Sequence, residues 1–329
     1  LSVVFDSLDW MLKFISIYIY YKLFSFIIKR RGLDRLYKLF LFSYVLLVLN
    51  LFVGSLGFGQ PMYSNEFGEG IGTKGFIYAG NEASVTLIVS ATFLMIYYLD
   101  KGFRWSYVLA GVALIGSGVL ISSKVAILAS MMVFAALPFL KLFKNKSFLI
   151  YNKKDAALAF VIFATFPIIL LSLVAYIWLY SSLIDRLSFF YSKMDIVTLL
   201  FSQRNIWASD ALNLFNENYN LVEKLFGKGK SWFYLMESGS MVEIDAIDYL
   251  MTYGIVGVLI AYGFVVFVML SSLANRNNFS GFLIFISLLL MAISLTAGHV
   301  WNSGTAGIFI AALFAMAMSR CKTNENTLI

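Results

Sequence analysis

Charged residues, proline, cysteine and histidine are all scarce in this chain of 329 residues. Only 13% of the residues are Asp, Glu, Lys or Arg, whereas a soluble globular protein needs about a quarter of its residues charged to cover its surface. That deficit excludes a soluble globular protein. The single cysteine, Cys321, permits neither an internal disulfide nor a cysteine metal site, and the single histidine, His299, excludes a histidine cluster. The sequence therefore predicts no metal and no other cofactor.

Apolar residues are abundant instead, at 60% of the chain, and the mean hydropathy is +0.83. A spanning helix needs about 20 mostly apolar residues, and windows of that kind predict an all-α polytopic membrane protein with about nine transmembrane helices. The first window contains Lys13 and Lys22, so an interfacial helix is the alternative there. We treat residues 1–329 as one integral membrane domain; because the chain begins with Leu, we expect an upstream part or an unusual start codon. The windows are 10–28, 38–58, 82–99, 105–122, 125–142, 156–180, 249–272, 280–297 and 304–319.

Basic residues gather on one side of the membrane if the nine helices alternate in direction. Of the 25 Lys and Arg residues, 15 then fall in alternate short connections and the C-terminal tail, which the positive-inside rule makes cytoplasmic. The net charge of +7 is thereby explained by topology, and nucleic acid is not predicted as a partner. The same rule places the one long hydrophilic segment, residues 181–248, outside the cytoplasm.

Segment 181–248 has about 68 residues, too many for a simple connector, and loops of that length are usually functional. Leu200, Arg204, Trp207, Ala208, Ala211 and Phe215 recur within it at helical spacing. We predict an amphipathic helix that lies on the membrane surface. Arg204 falls inside the apolar stripe, where a charge needs an anionic partner. That partner is either a phosphate or carboxylate of a lipid-borne ligand, or a structural ion pair; snorkelling of the side chain is a third reading.

Acidic residues end this segment where the next span begins. Glu243, Asp245 and Asp248 lie within six residues, and Asp245 and Asp248 share a helix face that Thr252 continues. The helix dipole favours acidic residues at a helix N-terminus, so capping explains one or two of them. We expect a functional role for at least one of Glu243 and Asp245. Their spacing alone also allows a divalent metal, but nothing else supplies a complete ligand set.

Other polar residues are predicted on the same outer side. Lys124 marks the tight turn between two spans and is either an interfacial anchor or a ligand contact. His299 occupies another outer turn, where a solvated interfacial histidine is the ordinary expectation. Arg186 follows Asp185 and could simply pair with it. Asn81 opens the third span after the Gly-rich segment 67–80.

The order of short motifs resembles that of the bacterial O-antigen polymerase and O-antigen ligase family of membrane glycosyltransferases. The resemblance covers about residues 37–319, and each motif is short. The motifs are Gly80-Asn81-Glu82, Ser123-Lys124, Arg204-Asn205-Ile206-Trp207, Gly227-Lys228-Gly229, Glu243-Ile244-Asp245 and Tyr253-Gly254-Ile255-Val256-Gly257.

The resemblance implies a reaction at the periplasmic face of the bacterial inner membrane between two glycans carried on undecaprenyl diphosphate. An acceptor hydroxyl attacks the donor's anomeric carbon, and undecaprenyl diphosphate departs. The implied partners are these lipid-linked glycans, the bilayer, a chain-length regulator and a flippase. The roles implied for individual residues are catalysis for Glu243, Asp245 and His299, diphosphate binding for Arg204, Arg186 and Lys124, and sugar binding for Asp248, Trp207 and Trp232.

Two departures from the family pattern concern the choice of activity and the role of Lys124. Family ligases carry a histidine where this chain has its Glu243 to Asp248 cluster, so a polymerase of O-antigen, capsule or exopolysaccharide is favoured over a ligase. Lys124 stands in place of the commoner arginine and lacks its bidentate fork. A flippase or transporter of lipid-linked oligosaccharide is the non-enzymatic alternative, although no internal repeat is evident.

Overall fold

The structure, a computed structural model, describes residues 2–64, 70–77, 79–142, 154, 156–165, 171–172, 195–236, 241–274 and 280–323. The helices that precede segment 181–248 are α1 to α6, and helices α7 to α12 lie within or after it. Their bounds are α1 Ser2–Arg31, α2 Asp34–Ser55, α3 Gly80–Lys101, α4 Arg104–Ile121, α5 Lys124–Leu142, α6 Ala156–Thr165, α7 Ile196–Phe201, α8 Arg204–Asn218, α9 Leu221–Phe226, α10 Asp245–Ala274, α11 Ser280–Thr296 and α12 Gly304–Thr323. A 3-10 helix, Gly229–Leu235, lies between α9 and α10.

The chain is a helical membrane protein: six of the described helices, α1 to α5 and α10, are long and apolar enough to cross a bilayer. Three shorter apolar helices, Ala156–Thr165, Ser280–Thr296 and Gly304–Met318, coincide with the remaining predicted windows. The structure thus accounts for six of nine predicted spans by length, and the count of nine stays a prediction. One feature departs from an all-α fold, because β1 (Gln60–Ser64) and β2 (Gly70–Gly75) form an antiparallel hairpin in the Gly-rich region.

Helix α3 is the centre of the bundle. Every residue from Ala83 to Leu99 is buried, because α2, α4, α5 and α12 all pack against it. Its aromatic contacts include Phe93 stacked on Phe40 of α2 at 4.3 Å between ring centroids. Helix α1 lies along α12, where Gly307 admits the side chain of Ile17. This bundle fixes the relative positions of the loops at its two ends.

The hairpin, the α4–α5 turn and the α7–α8 turn lie at one end of the bundle, here called the outer end because the positive-inside rule predicts it to be extracytoplasmic. Gly72 of the hairpin packs against the backbone of the α4–α5 turn at Ile121. Lys124 at the start of α5 reaches Ser202, between α7 and α8, with its Nζ atom 3.4 Å from the Ser202 Oγ. At the opposite end, Asp34 accepts a hydrogen bond from the Tyr97 hydroxyl at 2.8 Å.

The predicted amphipathic helix is interrupted and packs on protein. Ser202 and Gln203 have φ values of 53° and 70°, so α7 ends and α8 starts anew at Arg204. The buried face of α8, with Ala211 and Phe215, covers a second small core at the outer end. The stripe thus finds apolar partners within the chain, and its position on the membrane surface stays a prediction. The other buried members of that core are Tyr219, Trp232, Met236, Val242, Ile244 and Met251.

Helix α10 is broken at Gly254, inside the Tyr253 to Gly257 motif. Gly254 has φ 67° and ψ −168°, a conformation that is essentially restricted to glycine. The backbone of Leu225 at the end of α9 passes directly over Gly254, where a side chain would collide with it. The close contact between α9 and α10 therefore requires glycine at position 254.

Candidate functional site

A cluster of polar side chains forms at the outer end from four separate parts of the chain. Arg204 begins α8, Glu243 precedes α10, Asn81 begins α3, and His299 lies in the loop between α11 and α12. They are brought together because α3 and α10 begin, and α11 ends, at the outer end of the bundle. Arg204, Glu243, His299 and Asn81 are called the outer cluster below.

Arg204 and Glu243 form an ion pair through the Arg204 Nη2 and the Glu243 Oε2 atoms. The Arg204 Nη1 donates to the carbonyl of Thr296, at the end of α11, at 3.3 Å. Its Nε atom is buried and has no hydrogen-bond partner among the residues that the structure describes. Of the alternatives that the sequence left open for Arg204, the structure therefore has the ion pair within the chain, with Glu243.

Asn81 holds the other side of Glu243. Its Nδ2 atom donates to the carbonyl of Ala297 at 3.1 Å and lies 3.5 Å from the Glu243 Oε2. Sequence reasoning noted Asn81 only as the residue that opens a span. The sequence indicated its importance only through its position after Gly80 on the predicted outer side. It could not indicate the contact with Glu243, which is 162 residues away in the chain.

His299 completes the cluster. Its Nε2 atom is 4.0 Å from the Glu243 Oε1, which is an ion-pair separation and longer than a direct hydrogen bond. Gly298, with φ 64°, packs tightly on the backbone of Glu243 and so brings the next residue alongside the carboxylate.

Burial alone raises the pKa of Glu243, but the adjacent His299 and the Arg204 guanidinium outweigh burial and lower the pKa from 4.5 to about 2. Glu243 is therefore ionised at neutral pH. Because its pKa is lowered on folding, the ion pair contributes stability above about pH 4.5, and that contribution is lost as the pH falls through about 2.

For His299 the balance runs the other way. Burial lowers the pKa, but the neighbouring carboxylates of Glu243, Asp245 and Asp248 raise it above 6.5 overall. The stability gained from protonated His299 is present below pH 6.5 and is lost as the pH rises through the folded-state pKa.

The titration of His299 gives a direct test of this arrangement, since it is the only histidine in the chain. NMR of protein labelled with 15N-histidine, expressed without a histidine tag, should show a titration midpoint above 6.5. Glu243→Gln should lower that midpoint because it removes a neighbouring negative charge. Glu217→Gln, an exposed site on α8, serves as the control and should leave the midpoint unchanged. A midpoint insensitive to Glu243→Gln would show that the two side chains do not interact.

Asp245 is buried, with 4% exposure, and its carboxylate accepts three backbone hydrogen bonds from the loop that carries His299. The N–H groups of His299, Val300 and Trp301 donate at 2.6, 2.9 and 3.3 Å. The expectation that Asp245 acts as a catalytic base is corrected accordingly, because both oxygens are engaged in holding the loop. Asp245 is a positioning residue for His299.

Two of the sequence-predicted sugar contacts are enclosed in the protein, and the prediction was wrong for both. Asp248 is 3% exposed and accepts from the backbone N–H of Val242 at 3.1 Å. Trp232 is fully buried and donates from Nε1 to the Thr252 hydroxyl at 3.0 Å. Trp207 is half-buried against the same small core. Asp248 and Trp232 thus stabilise the outer core and are not available to a sugar.

Lys124 lies at the edge of the region, with its ammonium group directed to Ser202, two residues before Arg204. Arg186 lies outside the described residues, so its predicted role stays a prediction. Among the described residues, no group of three or more His, Cys, Asp and Glu side chains is arranged to hold a metal ion.

Unusual backbone conformations concentrate around this site. Five non-glycine residues in the described ranges have φ between 53° and 70°. Such conformations cost about 1–3 kcal/mol each and cluster at functional sites. Glu243 and His299 belong to the outer cluster, Ser202 and Gln203 directly precede Arg204, and Ser122 lies in the α4–α5 turn at the same end.

Fold and site together define a polytopic helical membrane protein with a polar cluster at one end of its bundle. No family model, no curated protein and no solved structure matches the chain.

Proposed function

We propose that the chain is a membrane glycosyltransferase that polymerises undecaprenyl-diphosphate-linked repeat units into a surface polysaccharide at the extracytoplasmic face. The observation that carries the proposal is the convergence of Arg204, Glu243 and His299 at the outer end, where Glu243 and His299 both have strained, positive-φ backbone. The motif order that resembles the O-antigen polymerase and ligase family gives this cluster its chemical interpretation. A lipid-linked substrate also suits an enzyme whose bundle lies in the same bilayer.

In the proposed reaction, a hydroxyl oxygen of the acceptor sugar forms a bond to the donor's anomeric carbon. The bond from that carbon to the diphosphate oxygen breaks, and undecaprenyl diphosphate leaves with the electron pair. Arg204 stabilises the charge that develops on the diphosphate, because a preorganised guanidinium acts strongly where water is excluded.

Glu243 fits a positioning role better than that of a resting general base. A carboxylate with a pKa of about 2 is a weak proton acceptor at neutral pH. When a diphosphate shares the Arg204 guanidinium, Glu243 loses part of its stabilisation and its pKa rises towards the ordinary value. The carboxylate then becomes a better acceptor for the hydroxyl proton at the stage when the donor is bound.

A ligase is the second candidate, favoured by the position of His299. The sequence-based argument against a ligase was the lack of a histidine beside the Glu243 to Asp248 cluster. His299 is distant in sequence, yet its ring lies at ion-pair distance from Glu243. The lack of a nearby histidine in the sequence is therefore no longer an argument against a ligase. Ligase and polymerase differ in the acceptor that receives the glycan.

The test uses the purified protein in lipid vesicles. Lipid-linked repeat units are extracted from a strain that lacks this gene and are supplied without nucleotide sugars. We expect a ladder of products, each longer by one repeat unit and still attached to undecaprenyl diphosphate. The proposal is overturned if units move across the bilayer unchanged, if they are transferred only to lipid A core, or if no glycosidic bond forms.

A further inference from the structure

The segment from Tyr219 to Trp232 has an apolar outer surface that nothing in the described chain covers. Three side chains on α9 are largely exposed: Leu221 at 75%, Val222 at 65% and Phe226 at 62%. The helix itself is firmly built, since Asn220 and Glu223 form a reciprocal capping box. A stable helix that presents three large apolar side chains outward requires a partner surface.

The level of α9 along the bundle follows from its attachment to α10. The Tyr219 hydroxyl and the Lys228 N–H both donate to the Met251 carbonyl at 3.1 Å, and the backbone of Leu225 lies on Gly254. Beyond its break at Gly254, α10 continues without a charge through residues 255–274. That part measures about 30 Å at 1.5 Å per residue, which matches the bilayer's hydrocarbon thickness of about 30 Å. Gly254 therefore lies near the outer boundary of the hydrocarbon.

Helix α1 gives the same level independently. Its inner end carries Lys29, Arg30 and Arg31, and Trp10 precedes Lys29 by 19 residues, or about 29 Å of helix. Trp10 thus lies at the outer boundary, where tryptophan is enriched. The Lys230 Nζ atom lies over the Trp10 ring, 4.8 Å from its centroid. Two spans therefore agree that the α9 segment lies at the boundary between hydrocarbon and headgroups.

We propose that α9 is inserted into the outer leaflet, with Leu221, Val222 and Phe226 buried among the lipid chains just below the headgroups. The partner of this face is the lipid monolayer, since its position is continuous with the lipid-facing surface of α10 below it. Exposed Leu259 belongs to that surface. Insertion into lipid supplies the burial that the exposed face lacks. This inference is independent of the proposed reaction.

Spin-label accessibility tests the insertion. Cys321 is the only cysteine, so Cys321→Ser provides a background for Val222→Cys, with Leu221→Cys as a second probe of α9. Leu259→Cys is the lipid-facing reference. Glu217→Cys, at an exposed position of α8, is the aqueous reference. Each labelled protein is placed in vesicles of phosphatidylethanolamine and phosphatidylglycerol, and collisions with oxygen and with a water-soluble nickel chelate are measured.

We expect both α9 labels to show a ratio of oxygen to nickel accessibility several-fold higher than that of Glu217→Cys and close to that of Leu259→Cys. A ratio equal to that of Glu217→Cys would mean that α9 stands in water, and the proposal would fail. Low accessibility to both reagents would also overturn it, because it would show a protein partner on this face.

Discussion

Arg204→Ala is expected to lower the rate of the proposed polysaccharide elongation by about 100- to 1,000-fold, the usual cost of removing one group that stabilises developing charge. The substitution removes the only described guanidinium of the outer cluster and leaves Glu243 without its ionic partner. In cells that depend on the variant, single repeat units should replace the normal distribution of chain lengths on gels of surface polysaccharide.

Two further variants make the result specific. Arg204→Lys keeps the charge but loses the fork that contacts both Glu243 and Thr296, so we expect an intermediate loss. Lys224→Ala removes a cation of α9 that contacts the Asn216 carbonyl and not the cluster, and it should leave chain length unchanged. Normal chain lengths in cells with Arg204→Ala would exclude Arg204 from the reaction.

Asp245→Ala is expected to destabilise the folded protein by at least about 3 kcal/mol, since each buried N–H left without an acceptor costs about 1–3 kcal/mol and three are affected. The His299 loop should also detach from α10, with loss of activity. Unfolding in detergent micelles with increasing denaturing detergent measures the first effect.

The controls for Asp245 separate the carboxylate's hydrogen bonds from its charge. Asp245→Asn keeps one acceptor oxygen but places the NH2 group of its side chain, a donor, next to a backbone N–H, which is also a donor. We therefore expect an intermediate loss of stability. Asp210→Ala removes an exposed carboxylate on α8 and should change stability by less than about 0.5 kcal/mol. If Asp245→Ala is as stable as Asp210→Ala, the carboxylate does not hold the loop.

The sequence predicted features that depend on local pattern. The long apolar windows predicted the six described helices that are long enough to cross a bilayer, because twenty consecutive apolar residues have few other uses. The acids near Glu243 predicted the start of a helix, and α10 begins at Asp245. An ionic partner for Arg204 was likewise expected from the cost of an unpaired charge in an apolar stripe.

Features that depend on distant contacts were beyond the sequence. The burial of Trp232 results from its packing beneath α8 and its bond to Thr252. The role of Asp245 depends on a loop 54 residues further along the chain. The break at Gly254 is visible only once α9 lies against it. In each case the tertiary partner decides the role, and no short motif encodes that partner.

The complete burial of α3 has a consequence for how the protein is made. Three of its hydroxyl groups are satisfied inside the helix, since Ser84, Ser90 and Thr92 donate to the backbone carbonyls of Gly80, Leu87 and Ile88. The Thr86 hydroxyl has no hydrogen-bond partner among the described residues. Because its charged residues lie only at its two ends, α3 can leave the insertion machinery as a span compatible with lipid, although four helices surround it in the fold. Because α12 is synthesised last among those four, α3 contacts lipid only while the chain is still being assembled.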